Sequence, residues 1–273
     1  MKIESNGKFI IYNGNVYENN EDVYLKDGQK VYEVIRVIDG VVLFLDEHIE
    51  RLKKSCNLIG KEIGIEERTI IDNIDKLIME NKMYNMNIKI ILNYHDGGFE
   101  SVFYFIDSFY PDKGYYEEGV KAITINAIRD NPQSKKINDN FKRNVKIKIK
   151  KEDAFEALLV NDEGHITEGS RSNIFFIKGD IVFTAPNEDV LMGITREKIL
   201  EVCDDINVEV QERLLRKEEL VSLEGVFMSG TSVGVLPIGI IDGKSYDSSN
   251  NEVVMKIKDG YDSKVEIYIN SRK

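Results

Sequence analysis

Cysteine is nearly absent from this chain. Cys56 and Cys203 are the only two in 273 residues, and they form no Cys-x-x-Cys pair, which argues against a disulfide framework or a cysteine zinc site. Histidine is almost as sparse: His48, His95 and His165 have no metal-ligand neighbour at helical spacing, so no metal is expected. Nor is there an excess of positive charge. With 37 lysines and arginines against 48 aspartates and glutamates, the formal charge is −11. That balance excludes a general affinity for nucleic acid or an anionic membrane, so any bound anion has to be held by a local site. The longest apolar stretches are strand-sized, and residues 1–10 alternate charged and apolar positions, from which a cytoplasmic protein without membrane contact is expected.

What is present is an ordinary globular composition, 42% hydrophobic and 31% charged, enough for one large or two modest domains. The first part reads as β-rich runs, Phe9 to Tyr12, Val31 to Ile38 and Val41 to Leu45, with Asp39-Gly40 as a hairpin turn. Helical spacing follows from Glu47 and again over Ile70 to Met83. A second hairpin is expected from Ile88 to Tyr94 and Ser101 to Phe109, around His95-Asp96-Gly97-Gly98. This makes residues 1–109 a small α/β domain. Residues 110–118, with Pro111 and Gly114 and no hydrophobic period, are expected to be a linker, and residues 119–273 a larger second domain. In it, strands are expected near Lys121 to Ala127, Ala157 to Val160, Asn173 to Ile177, Ile181 to Thr184, Gly225 to Ser229 and Leu236 to Ile241. Helices are expected at Asn140 to Lys151, Thr195 to Asp204 and Asn251 to Asp259. The fold class is α+β.

Four segments carry the chemistry. Ile166-Thr167-Glu168-Gly169-Ser170-Arg171-Ser172-Asn173 sets a carboxylate in a Gly/Ser turn that runs into an apolar strand; alone it reads as a hairpin turn with an exposed acid. Gly193-Ile194-Thr195-Arg196 opens an amphipathic helix, where unpaired N–H groups and the dipole favour a phosphate, although many helices begin this way. Ser229-Gly230-Thr231-Ser232 offers hydroxyls and N–H groups, and alone is a small-residue turn. His48 and Arg51-Leu52 lie on a helix, where most arginines are simply solvated.

Together and in this order, the four segments resemble the class IV aminotransferases, the fold type IV pyridoxal-phosphate enzymes. That group includes branched-chain and D-amino-acid aminotransferases and aminodeoxychorismate lyase. The resemblance spans nearly the whole chain and implies a two-domain, D-amino-acid aminotransferase-like fold. It implies pyridoxal 5'-phosphate as cofactor, amino-group transfer between an amino acid and a 2-oxo acid, and a homodimer. The family's lysine falls in Asn131-Pro132-Gln133-Ser134-Lys135-Lys136-Ile137-Asn138. Lys135 is preferred because Asn138 follows three residues on, and Lys136 is the alternative. By the same resemblance Glu168 faces the pyridine nitrogen, while Arg51, Ser172, Asn173, Ile194, Thr195 and Thr231 hold the cofactor. Tyr32, Arg36, His95 and Ser232 are implied at the substrate.

The chain also departs from the family pattern. Gly28-Gln29-Lys30 stands where several relatives read Gly-Asp-Gly. D-amino-acid aminotransferases carry an arginine and a histidine near Asn93-Tyr94-His95-Asp96, where this chain has only His95, with Lys89 nearby on a face that alternation does not settle. Asp139 follows Asn138 where branched-chain relatives have an aromatic residue. Three readings therefore stand: an aminotransferase, an aminodeoxychorismate lyase releasing 4-aminobenzoate and pyruvate, and a non-catalytic binding homologue. A two-fold partner is also expected from the hairpins, which would leave Phe99, Val102 and Tyr104 needing cover.

Overall fold

A computed structural model describes residues 2–19, 23–127 and 139–273. Lys135, Lys136 and Asn138 lie outside the described residues. The chain divides into two compact units: the first runs through Phe109 and takes in Ile267–Lys273, and the second begins at Tyr110 and runs to Glu266. Among the described residues no helix is long and apolar enough to cross a membrane.

In the first unit the elements are β1 (Phe9–Tyr12), β2 (Asn15–Glu18), β3 (Gln29–Ile38), β4 (Val41–Val42), α1 (Leu45–Asn57), α2 (Glu67–Asn81), β5 (Asn87–His95) and β6 (Gly98–Ile106). The strands form one antiparallel sheet in the order β2-β1-β6-β5-β3-β4. Strand periodicity sorts β3 cleanly: Val31, Glu33, Ile35 and Val37 are buried, and Tyr32, Val34 and Arg36 take the opposite face. The three aliphatic members of the first set share a core with Ile49 and Leu52 of α1 and Ile74 and Leu77 of α2. At the β3–β4 turn Asp39 and Gly40 both have positive φ, 50° and 83°, the backbone that a two-residue hairpin requires.

Strand β4 is shorter than the expected Val41 to Leu45. Phe44 turns left-handed (φ 50°) at the head of α1, its ring 4.9 Å from that of Tyr268, and the Leu45 N–H donates to the Tyr268 hydroxyl at 3.3 Å. A tertiary contact from far along the chain ends the strand. The side chains expected to need a partner's cover are largely covered within this unit: Val102 and Tyr104 are buried, and Phe99 packs on Tyr94 at 5.3 Å. These three side chains therefore lend no support of their own to a dimer.

The second unit contains α3 (Lys113–Glu118), β7 (Val120–Asn126), α4 (Asp139–Lys151), β8 (Glu156–Val160), β9 (His165–Gly169), β10 (Asn173–Lys178), β11 (Ile181–Thr184), α5 (Ile194–Asp205), β12 (Val210–Glu212), β13 (Leu215–Arg216), β14 (Gly225–Gly230), β15 (Gly234–Ile241), β16 (Lys244–Ser245) and most of α6 (Glu252–Arg272). Its sheet runs β12-β11-β10-β14-β15-β7-β8-β9-β13, with β16 on β15. Residues 110–118 are not a bare linker. Asp112 accepts the Gly114 N–H at 3.0 Å as an N-cap for α3, and the Tyr116 hydroxyl donates to the Val233 carbonyl at 2.8 Å, which ties this segment to the second unit. Glu168 also sits differently from expectation, inside β9, with the turn displaced to residues 170–172. Helix α6 runs well past the expected Asp259, and Gly260 lies inside it as a point of close approach where an added Cβ would strike Val202 of α5. Its last residues belong with the first unit, not the second.

Candidate active site

In the second unit, Glu168, Asn173 and the head of α5 are fastened to one another. Glu168 is buried, and its Oε2 accepts the Leu191 N–H at 3.3 Å. The Asn173 amide donates to the Leu191 carbonyl at 2.8 Å, and a Cβ on Gly193 would collide with the Asn173 Oδ1. Leu191 thus bonds through its own backbone to both side chains, two residues before the Gly193 N-cap. No side chain caps α5, whose first intrahelical bond runs from the Glu197 N–H to the Gly193 carbonyl. The N–H groups of Ile194 and Thr195 therefore have no intrahelical partner and sit at the positive end of the helix dipole.

Neighbouring side chains explain why this helix begins where it does. Arg196 binds the Asn187 side chain, the Ala185 carbonyl and Glu212 at 2.7 to 3.0 Å, so its charge anchors the first turn and serves structure. The Thr195 hydroxyl is bonded to the phenol of Tyr261, which burial pushes up to about 12. Ser229 pairs in register with Asn173, and its buried hydroxyl has no hydrogen-bond partner among the described residues. Thr231 and Ser232 follow in a turn closed by the Val233 N–H and the Gly230 carbonyl at 3.1 Å. Ser172 points elsewhere: its hydroxyl donates to Glu156 at 2.8 Å.

The first unit holds a second polar centre. Glu33 lies wholly buried on the helix-facing side of β3, and accepts from Arg51 Nε at 2.8 Å and Nη2 at 2.6 Å. His48 Nδ1 stands 2.9 Å from the same carboxylate, which as an acceptor-only group assigns the proton to Nδ1. Arg51 is thus no solvated helix arginine but a forked, buried ion pair. Tyr32 and Arg36 lie on the other face of the sheet. Lys89 joins that face, its ammonium 5.1 Å from the Tyr32 ring centre and 5.9 Å from that of Tyr104, within cation–π range. His95 turns inward: Nδ1 accepts the Gly97 N–H at 3.0 Å, and Nε2 lies 3.8 Å from Glu100. Burial opposes ionisation of Glu100, but bonds from Asn93, Tyr12 and the Lys26 N–H outweigh it and hold the carboxyl below its usual range.

Residues 30–241 match the sequence profile of the class IV amino-transferases. The chain belongs to the class IV aminotransferase family. It is 30% identical over 256 residues to a D-alanine aminotransferase of Bacillus licheniformis, covering 88% of this chain and 90% of that one. It is 24% identical to an aminodeoxychorismate lyase of Bacillus subtilis, over 96% of this chain and 97% of the lyase. A solved branched-chain amino acid aminotransferase of Escherichia coli shares the fold at TM-score 0.85 and 22% identity, with 95% of each chain covered.

Class IV aminotransferases use pyridoxal 5'-phosphate, and the described residues fit it. An uncapped helix N-terminus and the unpartnered Ser229 hydroxyl suit a phosphate, and the buried Glu168 suits a protonated ring nitrogen. Gly193→Ala is expected to displace Asn173 at a cost of about 1–3 kcal/mol, weakening cofactor affinity by roughly tenfold or more, as read by fluorescence titration. Unchanged affinity would detach Asn173 from the cofactor site.

Sequence reasoning gave no role to Glu33 or Glu156, and placed Ser229 only within a run of hydroxyl-bearing turn residues. For Glu33 a signal existed, since a charge in the buried phase of Val31, Ile35 and Val37 demands a buried counter-charge. Glu156 begins its strand, where it does not stand out.

Proposed function

We propose that the chain is a pyridoxal-phosphate-dependent aminotransferase that moves an amino group between an amino acid and a 2-oxo acid. The observation that carries this reading is the rigid link, through Leu191, between a buried carboxylate and an uncapped helix N-terminus. A cofactor with a ring nitrogen at one end and a phosphate at another needs those two partners at a fixed separation. When bound, pyridoxal phosphate supplies an aldehyde and a ring that accepts electrons from the substrate's α-carbon.

The chain's own groups do the rest. The Lys135 amine is the attachment point and, once released, takes a proton from the substrate's α-carbon. Glu168 keeps a proton on the ring nitrogen. Ile194, Thr195, Ser229 and Thr231 are assigned to the phosphate; Arg51 is assigned to the cofactor on the family resemblance alone, and within its own unit Glu33 holds its guanidinium in one orientation. Tyr32, Arg36 and Lys89, sharing one sheet face, suit a substrate with a carboxylate. His95 is committed to its own Gly97 and faces Glu100, which favours Arg36 and Lys89 over it for that task.

Incubation with pyridoxal phosphate and a panel of L- and D-amino acids is expected to convert the cofactor spectrum to the pyridoxamine form with at least one of them, reversed by a 2-oxo acid. No conversion with any amino acid would favour the lyase, and no cofactor absorbance at all would favour a binding homologue.

A further inference from the structure

Glu156 opens β8 with its side chain wholly buried, yet among the described residues no cation comes closer to it than the Nε of Arg171, a side chain 58% exposed, at 3.9 Å. The β9–β10 turn satisfies it instead. Oε1 accepts the Ala157 N–H at 2.8 Å, the Ser170 N–H at 3.1 Å and the Ser170 hydroxyl at 2.5 Å, while Oε2 accepts the Ser172 hydroxyl at 2.8 Å. A carboxylate taken out of water is costly unless donors surround it, and three of these four donors belong to the turn. The turn is wrapped tightly on that group. A Cβ on Gly169 would run into the Ser172 hydroxyl and come within 3.2 Å of the Glu156 carboxylate.

Glu168 enters this turn and Asn173 leaves it. The geometry points to Glu156 as the positioning residue for Glu168: an internal template that fixes the turn and so aims the Glu168 carboxylate at the ring nitrogen. This rests on the reading that Glu168 serves that nitrogen. The role is geometric, and that makes it separable from an effect of charge. A glutamine at 156 keeps a carbonyl acceptor for the two N–H donors, and its amide can donate to the Ser172 hydroxyl, which rotates to accept. An alanine keeps neither.

The test loads wild type, Glu156→Gln, Glu156→Ala and Glu168→Gln with pyridoxal phosphate carrying nitrogen-15 in the ring, whose resonance reports whether that nitrogen is protonated. Glu156→Gln is expected to match wild type. Glu156→Ala is expected to move the resonance toward the unprotonated position and to lower kcat about tenfold or more, with KM for the amino acid changed by less than about threefold. Should Glu156→Ala not fold, the double variant Ser170→Ala, Ser172→Ala removes both hydroxyl donors and is expected to shift the resonance in the same direction. If Glu168→Gln moves the resonance and neither turn-disrupting variant does, Glu156 is structural only and the proposal falls. Equal shifts in Glu156→Gln and Glu156→Ala would overturn it in favour of charge. An unmoved resonance in Glu168→Gln would instead remove the reading of Glu168 on which it stands.

Discussion

Lys135→Ala is expected to abolish covalent attachment of the cofactor and to lower the transfer rate by at least about 10³-fold. A positioned acid–base group alone contributes about 10²–10⁴-fold, and this amine is assigned both tasks. The chemistry needs a neutral amine. In a site from which water has been expelled, a lysine loses its proton near neutral pH, because burial penalises the ammonium form. Borohydride reduction followed by peptide mapping provides the measurement, with a labelled peptide from wild type and none from Lys135→Ala. Lys136→Ala is the control and is expected to retain label and most activity. Reversal of that pattern would transfer the role to Lys136.

Glu168→Gln is expected to lower kcat about 100-fold or more, equivalent to roughly 2.7 kcal/mol in the barrier, with a much smaller loss of cofactor affinity. The amide fills the same space and keeps an acceptor for the Leu191 N–H, so the local fold should survive. What it lacks is the negative charge that makes a protonated ring nitrogen favourable in a buried setting. Single-turnover kinetics at saturating cofactor separates the two effects. An unchanged rate would take Glu168 out of the mechanism.

Where one residue's neighbours in sequence are also its neighbours in space, the chain was readable. The alternation of β3, the Asp39-Gly40 turn and the opening of α5 at Gly193 all follow from local periodicity and turn chemistry. The run from Glu168 to Asn173, together with the three other segments, carries the family resemblance without any geometry. Other features were hidden because they depend on distant partners. Phe44 leaves strand geometry for a ring 224 residues away in the chain (268 − 44), and Gly260 marks close packing of two helices where the sequence suggested a helix end. Glu156 meets Ser170 and Ser172 only because β8 and β9 pair, and no spacing rule announces that. Lys89 shows the intermediate case: pairing with Tyr104 and Val34 fixes its face, although its own strand pattern did not.

The route of α6 also constrains how the chain is made. Residues 267–273 complete the first unit, with Tyr268 on Phe44 and Leu45, Arg272 on Asp46 at 3.2 Å and Lys273 on Asp39 at 3.1 Å. During synthesis those partners are separated by 223 to 234 residues, so the sheet of the first unit emerges from the ribosome long before the segment that caps it. Domains usually fold as they appear, in order from the N-terminus. Here residues 267–273 of the first unit follow the whole of the second in the chain, and the Phe44 ring stays uncapped by Tyr268 until they have been made. Closing so long a loop adds only a slowly growing entropic cost, so the delay is one of timing far more than of stability.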